Sequence, residues 1–169
     1  IRKYSILALA GDGVGPEIMG EALRFLEEIE HSLEFGFDIQ EDLLHGKAWD
    51  EYGTFCRDET VIAAKSSDAV LVGAVGGEKW DEILPEGKPE EKDGLMRLRR
   101  ELGVFAGLRP AWYSESLHSV TSLKADYIKG LDIMVLRELC GGTFFSVPRG
   151  VSTIDNGQQI GVDTTVYKT

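Results

Sequence analysis

The sequence predicts an α/β protein: a first lobe built on a parallel sheet with helices on both faces, followed by the start of a second α/β lobe. Three observations support this prediction. Short apolar runs alternate with segments of helical periodicity, glycine turns join them, and 43% of the 169 residues are apolar, which is enough to bury a core. We place the first lobe at residues 1–108 and the start of the second at residues 109–169.

The first elements are a strand, a glycine turn and a helix. Residues 4–10 form an apolar run that ends at Gly11-Asp12-Gly13, and Pro16 opens a helix over residues 16–29. Three further elements follow in the order strand, helix and strand, over residues 33–39, 58–65 and 68–75. This order predicts a β-α-β-α-β unit with parallel strands and right-handed crossovers.

The later elements are less regular. Charges, two prolines and a glycine predict an exposed loop over residues 78–93, after which helical periodicity returns over residues 94–102. Leu108-Arg109-Pro110 is predicted to be extended, because the residue before a proline avoids the helical region. Two elements complete the prediction: a buried strand over residues 133–136 that ends at Arg137 and Glu138, and a hairpin arm over residues 143–147 after Gly141-Gly142.

Charge and composition exclude several function classes. The net charge of −11 opposes binding to nucleic acid and to anionic membranes, so an anionic ligand must be held by a local cluster of arginines. No apolar stretch approaches the roughly 18 to 20 residues of a membrane span, which favours a cytoplasmic protein without a membrane partner.

The cysteines and histidines show no metal-ligand spacing. Cys56 and Cys140 lie far apart without a CxxC or Cys/His pattern, so we expect buried, reduced thiols rather than a disulfide or a zinc site. His31, His45 and His118 are scattered along the chain, and we expect them to be solvated or to cap helices.

The turn at residues 11–16 has two interpretations. A strand, glycines and a helix N-terminus in succession are typical of a phosphate cradle, because amides at the positive end of a helix can approach a phosphate. The spacing differs from GxGxxG and no GK[ST] follows, which favours a tight strand-to-helix connection instead. Asp12 is also a candidate cap for the helix that follows.

Three arginines are the candidate ligand-binding residues. Arg99, Arg109 and Arg137 each lie in or at the end of an apolar element, where a guanidinium can bind a carboxylate with two parallel hydrogen bonds. Leu95 shares a helix face with Arg99, which suits a ligand with a charged end and a branched aliphatic arm. The alternatives are surface or salt-bridged arginines, and leucines such as Leu95 and Leu98 that only pack the helix onto the core.

Five segments resemble, in order, the β-decarboxylating dehydrogenases, a family that includes isopropylmalate, isocitrate, homoisocitrate and tartrate dehydrogenases. The segments are GDGVGPEI at residues 11–18, VGAVGGEKWD at 72–81, GLMRLRRELGVFAGLRPAW at 94–112, VLRELCGGTFFSVPRG at 135–150 and VDTTVYKT at 162–169. Leu95 and Met96 match the isopropylmalate pattern, where isocitrate enzymes present a serine and an asparagine. The resemblance covers nearly all of the chain and implies a fold distinct from the GxGxxG Rossmann fold.

The resemblance implies NAD-dependent oxidation and decarboxylation of 3-isopropylmalate to 2-oxoisocaproate in leucine biosynthesis, with Mg²⁺ or Mn²⁺ as the metal ion. It implies a homodimer formed by the second lobe, and a first lobe that is the N-terminal part of the cofactor-binding domain. The implied substrate-binding residues are Leu95 for the isopropyl arm and Arg99, Arg109 and Arg137 for the malate carboxylates. The implied cofactor-binding residues are Gly76, Gly77, Glu78, Lys79, Trp80 and, in the acidic loop that follows, Glu90.

Three departures from the family pattern bear on activity. Phe144 occupies the position of a family tyrosine that helps to protonate the enolate after decarboxylation, and a phenyl ring has no hydroxyl for proton transfer. Cys140 replaces the usual threonine, and the sequence of residues 90–93 leaves open which carboxylate faces the nicotinamide. The chain also ends before the family's catalytic lysine and metal-binding aspartates, so we expect no metal ligand in this chain and no turnover by its 169 residues alone.

Two other functions remain open on the sequence. A catalytically silent paralogue or fragment that binds a ligand or a partner subunit would tolerate both Phe144 and the missing half. An acidic flavodoxin-like binding domain would show no loss of malate affinity when Arg109 becomes alanine.

Overall fold

The computed structural model describes residues 2–32, 34–83 and 88–167, and of residues 125 and 144 it describes the backbone only. The chain divides into two compact units, Ile1–Gly103 and Val104–Thr169, each of which is described by itself. We call them unit 1 and unit 2. The boundary at 108/109 between the two lobes of the resembled family remains a prediction.

Unit 1 contains a three-stranded parallel sheet and six helices in its described part. In chain order the elements are β1 (Arg2–Gly11), α1 (Gly15–Glu30), β2 (Phe35–Asp42), α2 (Gly46–Tyr52), α3 (Asp58–Ser66), β3 (Ala69–Ala74), α4 (Glu78–Asp81), α5 (Pro89–Lys92) and α6 (Gly94–Leu102). The strand order is β2-β1-β3, and Ile6 of the central strand pairs with Ile39 on one side and Ala69 on the other. The predicted parallel α/β unit is confirmed.

Apolar side chains cover both faces of the central strand. Leu7 and Leu9 are fully buried in a cluster with Val61 of α3 and Leu98 of α6. Because side chains alternate along a strand, Ile6 and Ala8 point to the opposite face, where they are buried as well. Helix α1 lies against β1 and β3 and contributes no described residue to the Leu7 cluster, so helices pack on both faces.

The glycine turn after β1 is a close-packed connection. Gly11 has φ +75°, and a Cβ on it would lie 2.0 Å from the carbonyl oxygen of Ala74. A Cβ on Gly15 would lie 2.1 Å from the carbonyl oxygen of Ala10. Pro16 occupies the first turn of α1, but no side chain caps that helix, so the predicted capping of α1 by Asp12 is wrong.

Two predictions for unit 1 need correction. Residues 78–93 are not wholly loop, because α4 and α5 lie within them; residues 84–87 are outside the described part. The sequence also missed α2, whose described residues bury only Gly46 and Ala48 and therefore show little apolar periodicity. No helix in the described part of the chain is long and apolar enough to span a membrane.

The described part of unit 2 contains two antiparallel pairs of strands. Its elements are β4 (Ala106–Trp112), α7 (Ala125–Ile128), β5 (Asp132–Glu138), β6 (Gly150–Thr153) and β7 (Gln159–Val162), with 3₁₀ turns at Glu115–Val120 and Gly142–Phe144. β4 pairs with β5 and β6 pairs with β7. The predicted hairpin arm at 143–147 is wrong: Gly142 has φ +70° and accepts hydrogen bonds from the amides of Phe145 and Ser146, which tighten a local turn. The hairpin lies later in the chain, in β6 and β7.

Candidate functional site

Loops from three parts of unit 1 meet at the carboxyl edge of its parallel sheet, and Asp12 holds them together. The residue is 1% exposed. Its Oδ2 accepts hydrogen bonds from the amides of Gly46 (3.0 Å) and Gly76 (2.9 Å), and its Oδ1 accepts one from the amide of Lys47 (2.8 Å). One carboxylate therefore fixes the turn after β1, the N-terminal amides of α2 and the loop after β3.

His45 completes this cluster around Asp12. Its Nδ1 lies 2.9 Å from Oδ2 of Asp12, and since a carboxylate only accepts, the imidazole donates its Nδ1–H. The ring packs on Phe55 with 4.8 Å between ring centroids. His45 is 7% exposed and makes no side-chain cap bond to α2, so the expectation of a solvated or capping histidine is wrong here.

The predicted cofactor segment, residues 76–80, lies in the loop after β3 and in α4. Lys79 Nζ lies 2.6 Å from Oδ2 of Asp50, and the indole Nε1 of Trp80 donates to Oδ1 of the same residue at 3.1 Å. The hydrogen bonds from Lys79 and Trp80 lower the pKa of Asp50. A Cβ on Gly46 would come within 2.3 Å of the Trp80 ring, so glycine allows the two elements to pack closely.

The three carboxylates of residues 90–93 are engaged within unit 1. Glu90 forms an ion pair with Arg100. Glu91 accepts a hydrogen bond from the amide of Lys88, at the start of α5 (2.9 Å), and Asp93 caps α6 by accepting from the amides of Leu95 and Met96. Glu78, beside the glycine turn, is exposed. Glu91 is exposed as well, so the structure leaves open which carboxylate faces the nicotinamide.

Helix α6 carries Leu95 and Arg99 one turn apart, and both are half-buried. Leu98 is 2% exposed and belongs to the core, as the packing interpretation expected for that leucine. Arg97, which the sequence did not single out, binds the carbonyl oxygen of Cys56 and the carboxylate of Asp58 and thereby joins α6 to the start of α3.

Arg109 and Arg137 share one face of the β4–β5 pair in unit 2. Arg109 pairs with Val135, and Arg137 lies two residues further along β5, so the two arginines are diagonal neighbours about 7–8 Å apart. Both line a groove of about 470 Å³. Two guanidinium groups at this spacing can bind both ends of a small dianion. Arg99 belongs to unit 1.

The groove also contains Tyr167, which the sequence did not single out. Its ring lies against Gly141 and Gly142, which follow β5. The carboxylate of Glu138 accepts hydrogen bonds from the amides of Cys140 (2.7 Å) and Gly141 (3.0 Å) and so holds this turn in place. Sequence reasoning could not find Tyr167, because no spacing pattern links it to a turn more than twenty residues earlier.

Two of the departures from the family pattern fall in this turn. Cys140 is exposed and its thiol donates to the carbonyl oxygen of Val104 at 2.9 Å, so the expected burial is wrong for Cys140. Cys56 is buried as expected, and burial raises the pKa of its thiol to about 11. The backbone of Phe144 ends the 3₁₀ turn, and its side chain lies outside the described part of the structure.

The fold and the groove define an α/β protein with a parallel-sheet unit and an arginine-lined groove. Comparison with known proteins gives the family. The model of the isocitrate/isopropylmalate dehydrogenase family matches residues 5–169, and the chain belongs to that family. The resemblance seen in the sequence is confirmed.

The similar proteins carry consistent names. The chain is 47% identical over 165 residues to the 3-isopropylmalate dehydrogenase of Rhodospirillum rubrum, which covers 97% of this chain and 44% of that protein. It is 48% identical over 162 residues to that of Xanthomonas oryzae pv. oryzae, which covers 96% and 45%. The chain therefore spans less than half the length of the curated relatives that it matches.

Solved structures show the same fold. A β-decarboxylating dehydrogenase of Thermococcus kodakarensis superposes with a TM-score of 0.59 and 26% identity, over 96% of this chain and 41% of that one. The isocitrate dehydrogenase of Methylococcus capsulatus superposes with a TM-score of 0.62 and 20% identity, over 98% and 43%. The second likeness supports the fold alone.

Proposed function

We propose that this chain is the N-terminal part of an NAD-dependent 3-isopropylmalate dehydrogenase, which oxidises and decarboxylates 3-isopropylmalate to 2-oxoisocaproate in leucine biosynthesis. The enzyme is a cytoplasmic homodimer, and the 169-residue chain supplies the arginines for the substrate carboxylates but does not turn over by itself. The observation that carries the proposal is the diagonal placement of Arg109 and Arg137 at one groove. Family membership supplies the reaction class.

The net charge of the chain supports a site in which nearby arginines bind the anion through short-range contacts. With a net charge of −11, the long-range field of the chain repels a dianionic substrate, so binding depends on short-range contacts. The planar guanidinium groups of Arg109 and Arg137 provide them as paired hydrogen bonds. We assign Arg99 to the same substrate, and the half-buried Leu95 to its isopropyl arm, where burial of such a group contributes roughly 1–3 kcal/mol.

The segment at residues 76–80 fits the cationic nicotinamide end of NAD. It lies at the carboxyl edge of a parallel sheet, where ligands of α/β proteins bind. Glu78 is exposed and can face a positively charged ring, whereas Lys79 is paired with Asp50 at 2.6 Å and is poorly placed for a phosphate. When bound, NAD would accept the hydride from C2 of the substrate.

The proposed enzyme uses Mg²⁺ or Mn²⁺, and the described residues were searched for a cluster of possible ligands. No group of three or more histidine, cysteine, aspartate or glutamate side chains among them is arranged to hold a metal ion. As the family resemblance implies, we propose that the metal ligands of the enzyme lie in the remainder of the full-length protein.

The proposal is tested on the full-length protein that carries this chain. With 3-isopropylmalate, NAD and Mg²⁺, NADH should form, and Arg109→Ala should lower kcat/KM by about 100-fold or more, because losing a charge-assisted pair of contacts costs roughly 3 kcal/mol. Arg24→Ala is the matched control: this exposed arginine pairs with Glu21 on α1, and its loss should leave kcat/KM unchanged. Equal activity of the two variants would refute the assignment of Arg109.

Phe144 favours a second candidate, a catalytically silent paralogue that binds a ligand or partner subunit. The enzyme proposal predicts turnover by the full-length protein and a higher kcat for Phe144→Tyr. The paralogue predicts binding of 3-isopropylmalate by calorimetry without NADH formation, in both the natural sequence and Phe144→Tyr. A malate affinity that is unaffected by Arg109→Ala would contradict the assignment of Arg109 in both candidates.

A further inference from the structure

The groove with Arg109 and Arg137 holds few groups that can transfer a proton. An arginine stays protonated in proteins, so the two guanidinium groups bind charge but do not exchange protons with a substrate. The carboxylate of Glu138 already accepts from two backbone amides, at 2.7 and 3.0 Å. Among the residues that line the groove, Thr143 and Tyr167 carry hydroxyls, and a phenol is by far the stronger acid.

Backbone hydrogen bonds hold Tyr167 at the groove. The amide of Gly142 donates to the carbonyl oxygen of Val166 at 2.9 Å, and the amide of Val166 donates to Oγ of Ser146 at 2.8 Å. Ser146 is 7% exposed, so this contact is shielded from water. The residue before Tyr167 is thus bound on both sides to the turn that follows β5.

The phenol hydroxyl lies beside a glycine. A Cβ on Gly142 would come within 2.8 Å of the Tyr167 hydroxyl oxygen and 3.1 Å of its ring, so a larger residue would displace the ring from this place. Tyr167 is nevertheless 61% exposed as a residue, and it lines the groove that contains Arg109 and Arg137.

We propose that Tyr167 is a catalytic residue that donates a proton to the substrate carbon from which CO₂ departs. This inference rests on the proposed function, an oxidative decarboxylation. Loss of CO₂ breaks a C–C bond and leaves its electron pair on C3 as an enolate. The phenol O–H bond then breaks, a C3–H bond forms, and the enolate becomes the ketone of the product. Water returns a proton to the phenolate.

The two arginines support this step electrostatically. The phenolate carries a negative charge between donation and reprotonation, and cations in the same groove stabilise that charge. They also bind the carboxylates that keep C3 of the substrate close to the hydroxyl. Tyr167 therefore acts on a substrate that its neighbours in the groove orient.

The test uses the full-length protein and follows the proton step separately from hydride transfer. With 2-oxoisocaproate, NADH and Mg²⁺ in D₂O, the natural enzyme should exchange deuterium into C3, the reverse of the proposed donation, as detected by proton NMR. Tyr167→Phe should lower this exchange and kcat by about 100-fold or more, with KM changed less than about threefold. Tyr127→Phe, an exposed tyrosine of α7, is the matched control and should behave as the natural enzyme.

Two outcomes would overturn different proposals. If the natural protein forms NADH from 3-isopropylmalate while Tyr167→Phe exchanges deuterium at the natural rate, Tyr167 is not the donor and the proposed function stands. If the natural protein neither forms NADH nor exchanges deuterium, the proposed function fails and this inference fails with it.

A second variant keeps the test valid if Tyr167→Phe does not fold. Tyr167→3-fluorotyrosine preserves the shape of the side chain and makes the phenol more acidic. If Tyr167 donates the proton, the alkaline limb of the kcat profile should move to lower pH. An alkaline limb at the same pH as in the natural enzyme would refute the assignment. A residue that only packs against Gly142 would not make the pH dependence of kcat follow the acidity of its phenol.

Discussion

Removing the Asp12 carboxylate should destabilise unit 1 more than most single substitutions. The carboxylate accepts from four donors: the amides of Gly46, Lys47 and Gly76 and Nδ1–H of His45. Each buried donor left without an acceptor costs about 1–3 kcal/mol, and some will reach water as the loops relax. We therefore expect Asp12→Ala to lower the free energy of unfolding by roughly 3–6 kcal/mol.

The isosteric variant Asp12→Asn should destabilise unit 1 less than Asp12→Ala does. Three donors converge on Oδ2 and one on Oδ1, so an asparagine can place its amide oxygen at the Oδ2 position and keep three bonds. Its NH₂ group then faces the amide of Lys47, and because both groups are donors, no hydrogen bond forms between them. The loss should be about 1–3 kcal/mol, smaller than for alanine.

Chemical denaturation of the full-length protein measures the stability change, and hydrogen exchange locates it at the amides of residues 46, 47 and 76. Asp38→Ala is the control: Asp38 is exposed on β2, and its loss should change stability by less than about 0.5 kcal/mol. A cost below about 1 kcal/mol for Asp12→Ala, or unchanged exchange at the three amides, would refute the role of Asp12.

Three further predictions follow from unit 1 and from the thiols. His45 has φ 58° and ψ −126°, a conformation that glycine adopts readily, so His45→Gly should be more stable than His45→Ala in denaturation by about 1 kcal/mol or more. Native protein treated with iodoacetamide should be alkylated at the exposed Cys140 and not at Cys56, by mass spectrometry; equal labelling would contradict the burial. The lowered pKa of Asp50 means that its ion pair with Lys79 persists at about pH 4 and is lost only as pH falls through the folded-state value; an NMR titration midpoint above that of a free aspartate would contradict this.

The spacing of apolar residues predicted the strands and helices that bury one face in the core. The strand at residues 4–10 and the helices at 16–29, 58–65 and 94–102 were predicted within one or two residues, because their apolar side chains recur at strand or helix spacing. Helix α2 was missed because it is short and mostly polar on its exposed side. Its position depends on Asp12, and a hydrogen bond across more than thirty residues leaves no local pattern.

The residues of the candidate site could likewise be predicted only in part from the sequence. Arg109 and Arg137 were candidates on the sequence because they stand in or beside apolar strands, but only the register of β4 and β5 shows that they are diagonal neighbours. The buried role of His45 was invisible, since a histidine at φ 58° follows no local rule and is fixed by the Asp12 carboxylate. Tyr167 depends on the hydrogen bonds of Val166, which join distant parts of the chain.

We propose that the 169-residue chain does not turn over by itself. Besides the chemical reason given above, the exposed strands of unit 2 give a physical reason. Every apolar side chain that is buried in the described structure belongs to unit 1, while Leu136 and Trp112 of the β4–β5 pair are 68% and 66% exposed. A two-stranded pair without a packed face is marginally stable in water. Binding and catalysis need side chains held within about 0.5 Å of their working positions. Arg109 and Arg137 can reach that precision only when further protein covers this sheet, so we expect substrate affinity, and not only turnover, to be weak in the 169-residue chain.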